Sequence, residues 1–161
     1  MRVLGIDPGL CFTGYAVLDI VGTHIQLVTG GCITTKPSEK RFKKIYESLN
    51  NVIQGYKPEI AIIENTYVNI NPRTSLSLGQ ARGVCVLSVE VNELEYIEVS
   101  TTLVRRNLLG KGNAKKEEVQ VFIETLFQHK MTNHITDAIA SILSVFSDRF
   151  NTPITSLTIS V

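Results

Sequence analysis

The chain has 161 residues, of which 43% are hydrophobic and 19% charged, with a net charge of +1. This is the composition of one folded domain burying about two-thirds of its unfolded surface, without the about eighteen-residue apolar run that spans a bilayer. Asp7 interrupts the first apolar run and no small-residue cleavage site follows, so no signal peptide is read and a cytoplasmic location is expected, while three isolated cysteines, Cys11, Cys32 and Cys85, argue against a disulfide framework or zinc site.

The first run, Met1 to Ile6, ends in Asp7 and is closed by Pro8-Gly9. It reads as a buried strand that delivers a carboxylate at its tip. A buried acid costs several kcal/mol unless it is paired or bound to a cation, so Asp7 is either the opening residue of a surface turn or a functional group. Thr13–Leu18, and then Ile25–Val28 through Thr34, read as two further strands joined by Val21-Gly22-Thr23, the three forming an antiparallel meander. Phe42, Ile45, Tyr46, Leu49, Val52 and Ile53 recur at helical spacing, with Ser38 as a candidate cap and Gly55 as the stop.

Glu59–Ile63 is a second short apolar run, ending in Glu64 as the first ends in Asp7. Adjacent parallel strands bring their carboxyl ends to one edge of a sheet, so these two acids can meet. A helix is expected over Ser75–Val91, with Gly79 and Gly83 inside it suggesting close approach of a neighbour or a ligand. Tyr96–Val99 reads as a fifth strand. Ser100 caps a short helix through Leu109, which ends at Gly110-Lys111-Gly112-Asn113. Two amphipathic helices follow, one on Val119, Phe122, Ile123, Leu126 and Phe127, the other on Ile135, Ala138, Ile139, Ile142 and Phe146. The order implies an α/β fold, a mixed five-stranded sheet with helices on both faces over residues 1–150, and a tail over 151–161 whose state the sequence leaves open.

His134 and Asp137, three apart, project from one side of the last helix beside its apolar stripe. With Asp7 and Glu64 they would make a cluster of three carboxylates and an imidazole, with no cationic partner evident in the sequence. Taken alone, the helical HxxD is more often a cap and first-turn acid than a ligand pair. Hard oxygen donors at such density suit Mg²⁺ or Mn²⁺, and a pair of such ions is a standard means of cutting a phosphodiester. Basic residues concentrate in Lys36–Lys44 and in Arg105–Lys116, five in each. Either patch is compatible with phosphate binding or with a solvated helix face, and the first reads as a solvated face.

Four stretches, Gly5-Ile6-Asp7-Pro8-Gly9, Ile62-Ile63-Glu64, Leu78-Gly79-Gln80-Ala81-Arg82-Gly83 and Asp137-Ala138-Ile139-Ala140, give residues 1–147 a resemblance to the RuvC family of Holliday-junction resolvases. The resemblance implies a ribonuclease H-like fold and a metal-dependent endonuclease that nicks four-way DNA during recombination and repair. It also implies that Asp7, Glu64, His134 and Asp137 ligate two Mg²⁺ per subunit, with Mn²⁺ able to substitute. Relatives carry Asp or His where His134 stands. Imidazole ligates only when neutral and favours Mn²⁺, so activity is expected to fall below about pH 6.5.

Tyr67 matches a family aromatic that stacks on an unpaired base, and Arg105 and Lys116 match basic positions of the family. Arg73, Arg82 and Lys111 are further candidate phosphate contacts, with Gly110 and Gly112 allowing close backbone approach. A junction nicked on two strands implies a C2 homodimer, with the Ser75–Val91 helix as part of the contact, and the family implies RuvA and RuvB as partners. A non-catalytic junction-binding module and another ribonuclease H-like nuclease are the alternative readings. Gly5-x-Asp7-x-Gly9 also opens actin-like ATPases and sugar kinases, but 161 residues leave no room for their second lobe.

Overall fold

The computed structural model describes residues 1–65, 72–147 and 157–161. Strands β1 (Arg2–Asp7), β2 (Phe12–Val21) and β3 (His24–Thr34) form the expected meander, followed by α1 (Arg41–Tyr56), β4 (Ile60–Asn65), α2 (Pro72–Val91), β5 (Tyr96–Ser100), α3 (Thr101–Leu109), α4 (Lys116–Phe127), α5 (Asn133–Phe146) and β6 (Thr158–Ser160). The sheet order is β5-β4-β1-β2-β3-β6. β1 pairs antiparallel with β2 and parallel with β4, and β4 pairs parallel with β5.

The sheet therefore has six strands, not the five expected. The sixth comes from the tail, where Thr158, Ile159 and Ser160 pair parallel with His24, Ile25 and Gln26. Three residues are too few to show an alternation, and the edge of β3 supplies the hydrogen bonds that hold them.

Two apolar layers cover the sheet. On one face Leu4, Ile6, Ile63, Ile45, Leu49 and Cys85 join β1 and β4 to α1 and α2. On the other Val3, Ile62, Val104, Ile123, Ile139 and Ile142 join them to α3, α4 and α5. The alternation along β1 and β4, Val3 and Ile62 to one side and Leu4 and Ile63 to the other, is what a strand covered on both faces requires. α5 crosses β1 closely: a Cβ on Gly5 would lie 2.3 Å from the Ala138 carbonyl oxygen.

Two local expectations change. α1 begins after Lys40 with no side-chain cap, so Ser38 does not cap it, and it runs past Gly55 to Tyr56, where Lys57 turns left-handed at φ 50° and donates its N–H to the Ile53 carbonyl. A Cβ on Gly79 or Gly83 would meet nothing within 4 Å, so no other part of the described chain approaches α2 at either glycine. α3 follows the sequence reading: Ser100 Oγ accepts from the Leu103 N–H, and Gly110 closes the helix at φ 74°.

Candidate active site

The register Ile6 to Ile63 between β1 and β4 carries Asp7 and Glu64 to adjacent positions at the carboxyl edge of the sheet. Parallel pairing dictates this, because neighbouring strands running the same way end on the same side. α5 packs across β1 and β2 near this edge, so its first turns bring His134 and Asp137 to Asp7. Asp7, Glu64 and Asp137 line one cavity of about 150 Å³ together with Thr101, Arg105 and Lys116.

His134 stands on the other flank of Asp7, its Nδ1 3.4 Å from Asp7 Oδ2. It lines a separate cavity with Gly9, Phe12, Arg41 and Arg73. The ring of Phe12 stacks on it with centroids 5.3 Å apart. Three of the four expected residues thus line one cavity, and His134 approaches Asp7 from another.

The site has an ion pair that the sequence did not reveal. Lys116 Nζ, from the first turn of α4, forms an ion pair with Asp137 Oδ2. Burial alone would lower the Lys116 ammonium. The bond to Asp137 and the charges of Asp137, Asp7 and Glu64 outweigh it and hold the group above the usual lysine range. Asp137 is nevertheless pushed up, first by burial and then by Asp7, against the lowering effect of Lys116. The rise in Asp137 is the firmer direction, because its carboxylate is only 14% exposed while Lys116 is 44% exposed and screened by water.

Glu64 is the most perturbed acid of the three. Burial, with the nearby Asp7 charge adding to it, pushes its carboxyl up to about 7, and the 2.5 Å hydrogen bond donated by Thr101 Oγ1 opposes the rise without cancelling it. The Asp7 charge beside it makes ionising the buried Glu64 costly unless positive charge joins them.

The chemistry of this donor set fits a hard divalent cation: three carboxylates, of which burial and a neighbouring charge destabilise Glu64 and Asp137 as anions, with an imidazole at the edge. Lys116 stands in as the positive charge. As the side chains lie, no three His, Cys, Asp or Glu of the described residues gather at one point.

The other expected contacts fall in different places. Arg105 lies in the wall of the acidic cavity. Arg82 is ion-paired with Glu98 and Lys111 with Glu118, so each must release a carboxylate to take a phosphate. Arg73 lines the His134 cavity, and Tyr67 lies outside the described residues. Thr101 escaped sequence reading: it reaches Glu64 only because β5 pairs parallel with β4, Glu64 opposite Val99 and Asn65 opposite Ser100, and no local pattern announces that pairing.

A mixed sheet with a central antiparallel meander, acids at the tips of two adjacent parallel strands and a helix carrying the third acid across them defines a ribonuclease H-like nuclease. Thermus thermophilus RuvC has this architecture, with a TM-score of 0.82 at 26% identity over 94% of this chain and 98% of that one. The same protein in complex with Holliday junction substrate aligns with a TM-score of 0.81 at 24% identity over 98% of each chain and shares the fold. In sequence, the crossover junction endodeoxyribonuclease RuvC of Polynucleobacter necessarius is 38% identical over 128 residues, covering 80% of this chain and 76% of the relative. That of Ehrlichia canis is 38% identical over 145 residues, covering 87% and 92%. The family model described as crossover junction endodeoxyribonuclease RuvC matches residues 3–145, and the chain belongs to this family.

Proposed function

We propose that this chain is a homodimeric Holliday-junction resolvase that makes paired symmetric nicks in four-way DNA, with two Mg²⁺ per subunit and Mn²⁺ able to substitute. The observation that carries the reading is the convergence of Asp7, Glu64 and Asp137 on one cavity, flanked by Lys116 and Arg105, in a chain of the RuvC family.

Asp7, Glu64 and Asp137 supply oxygen donors, and His134 a nitrogen donor, for the metal. When bound, a divalent cation supplies activation of water and stabilisation of charge on the phosphate. The protein's own part is to orient and to balance charge. Thr101 fixes the Glu64 carboxylate through Oε1, leaving the other oxygen to turn toward the cavity. Phe12 fixes the His134 ring plane by stacking. Lys116 neutralises Asp137, and where a metal took its place its ammonium would be free for the phosphodiester. Arg105 offers a second cation from the same wall.

Two nicks of like polarity require two active sites related by a two-fold axis. α2 is the face that suits this contact: Leu76, Leu87 and Val91 are exposed on it, and both of its glycines face open space. Cytoplasmic action beside RuvA and RuvB, base stacking by Tyr67 and phosphate contacts from Arg73, Arg82 and Lys111 complete the reading. No described helix is long and apolar enough to cross a membrane.

The test is cleavage of a mobile synthetic four-way junction against linear duplex of the same sequence, with Mg²⁺ or Mn²⁺, for wild type and Asp7→Asn. Symmetric paired nicks on the junction, abolished by Asp7→Asn with binding retained, are expected. Junction binding without nicks under either metal would leave a binding module.

A further inference from the structure

We propose that the cavity on the His134 flank is a phosphate subsite for the DNA backbone, with Arg41 its principal cation; the assignment rests on the nuclease reading above. The cavity, of about 440 Å³, lies between the turn after β1 and the first turns of α1 and α2. Arg41, Arg73 and His134 line it, with the hydroxyl residues Thr74 and Ser77, and none of the described lining residues is a carboxylate. A DNA-cutting domain with a nearly neutral total charge thus keeps a locally basic, acid-free pocket one side chain away from Asp7.

Arg41 is the residue that calls for a ligand. Its Nε is buried and meets no hydrogen-bond acceptor among the described residues. The Nε of Arg82 is likewise unmatched, but the Arg82 guanidinium is ion-paired with Glu98. The carboxylates near Arg41 in sequence are engaged elsewhere: Glu39 with Lys44 and Glu47 with Lys43. Those two pairs bear out a solvated face for Lys43 and Lys44. Arg41 departs from it.

A guanidinium donor withdrawn from water without an acceptor is poised for an anion, and its planar fork matches the two free oxygens of a phosphodiester. Thr74 and Ser77 add neutral donors of the kind that complete phosphate sites. Because His134 separates this pocket from the acidic cavity, the phosphate held here is not the one being cut. It is a neighbour whose capture fixes the register of the strand across Asp7.

The test compares wild type, Arg41→Gln and Arg41→Lys for binding to labelled junction and to linear duplex in EDTA over a range of salt concentrations. Loss of one phosphate contact makes the slope of log affinity against log salt shallower by about 0.9. Arg41→Gln is expected to show that loss and Arg41→Lys to keep the wild-type slope. A scan of single methylphosphonates is expected to find one position that weakens wild type and leaves Arg41→Gln unaffected.

An Arg41→Gln protein with the wild-type slope and the wild-type methylphosphonate pattern overturns the proposal, including when its melting temperature has fallen, because that is a structural arginine. Failure of the resolvase reading is seen separately, as a wild type that neither prefers nor nicks the junction. The Arg41 slope is then still read on duplex.

Discussion

Lys116 on α4 is ion-paired with Asp137 on α5, so the acidic site of this protein carries its own ammonium. A buried carboxylate beside two others would otherwise be left to repel them, and the lysine holds the cluster together until a stronger cation replaces it.

Removing that ammonium should therefore hurt the metal-free protein most. Lys116→Met is expected to lose about 1 kcal/mol of stability in EDTA, a figure kept small because the lysine is partly exposed. The rise in melting temperature on adding Mg²⁺ or Mn²⁺ should be larger for the variant than for wild type. Equal rises in the two proteins would show that Lys116 and the metal do not substitute for one another.

Glu64 makes the stability of the metal-free protein depend on pH. Its folded carboxyl titrates at about 7 against an ordinary value of 4.5, so between these the folded state holds a proton that the unfolded state has released. Stability from this group is full below about 4.5 and declines as pH rises toward 7. Denaturant titrations of wild type and Glu64→Gln in EDTA at about pH 4 and about pH 8, one below and one above the window, check the sign. The variant should gain on wild type at the higher pH; a gap that does not change with pH contradicts the assignment.

Two glycine substitutions should act in opposite directions. Gly5→Ala sets a methyl group 2.3 Å from the Ala138 carbonyl oxygen and 2.9 Å from Ile142 Cγ1, forcing α5 away from β1. A loss of about 2 kcal/mol or more is expected, with activity falling further because Asp137 moves relative to Asp7. Gly79→Ala meets nothing among the described residues of its own chain and should stabilise a monomer by up to about 1 kcal/mol. Thermal melts with sedimentation at several concentrations separate the two effects. If α2 seats a second copy against Gly79, the same substitution weakens the dimer while leaving the monomer intact.

His134→Asp should change which metal works. Replacing an imidazole by a carboxylate makes the site harder, so the ratio of Mg²⁺-supported to Mn²⁺-supported nicking is expected to rise several-fold. It should also remove the part of the acid-side activity loss that comes from protonating an imidazole. Parallel pH profiles in the two metals read both effects, and unchanged ratios would take His134 out of the ligand set.

The acids were legible early because each announces itself locally. Asp7 and Glu64 end apolar runs, which fixes them at strand tips, and His134 and Asp137 sit three apart on a helix, which fixes them on one side. Ser100 was legible as a cap for the same reason: its partner, Leu103, is three residues away. The two glycines of α2 meet no neighbour within the described chain, which leaves a second copy or a ligand as what would approach them.

What the chain's sequence determined by itself is the set of strands and helices, the acids at their ends and the family to which they belong, because periodicity and short spacing act within single elements. Only the tertiary structure decided that Lys116 meets Asp137, that Thr101 holds Glu64, that Arg41 leaves its lysine neighbours to line a basic pocket, and that the end of the chain adds a sixth strand. Each of these joins elements far apart along the chain. A side chain's partner across such a distance depends on how sheet register and helix crossing place whole elements, which no local pattern encodes.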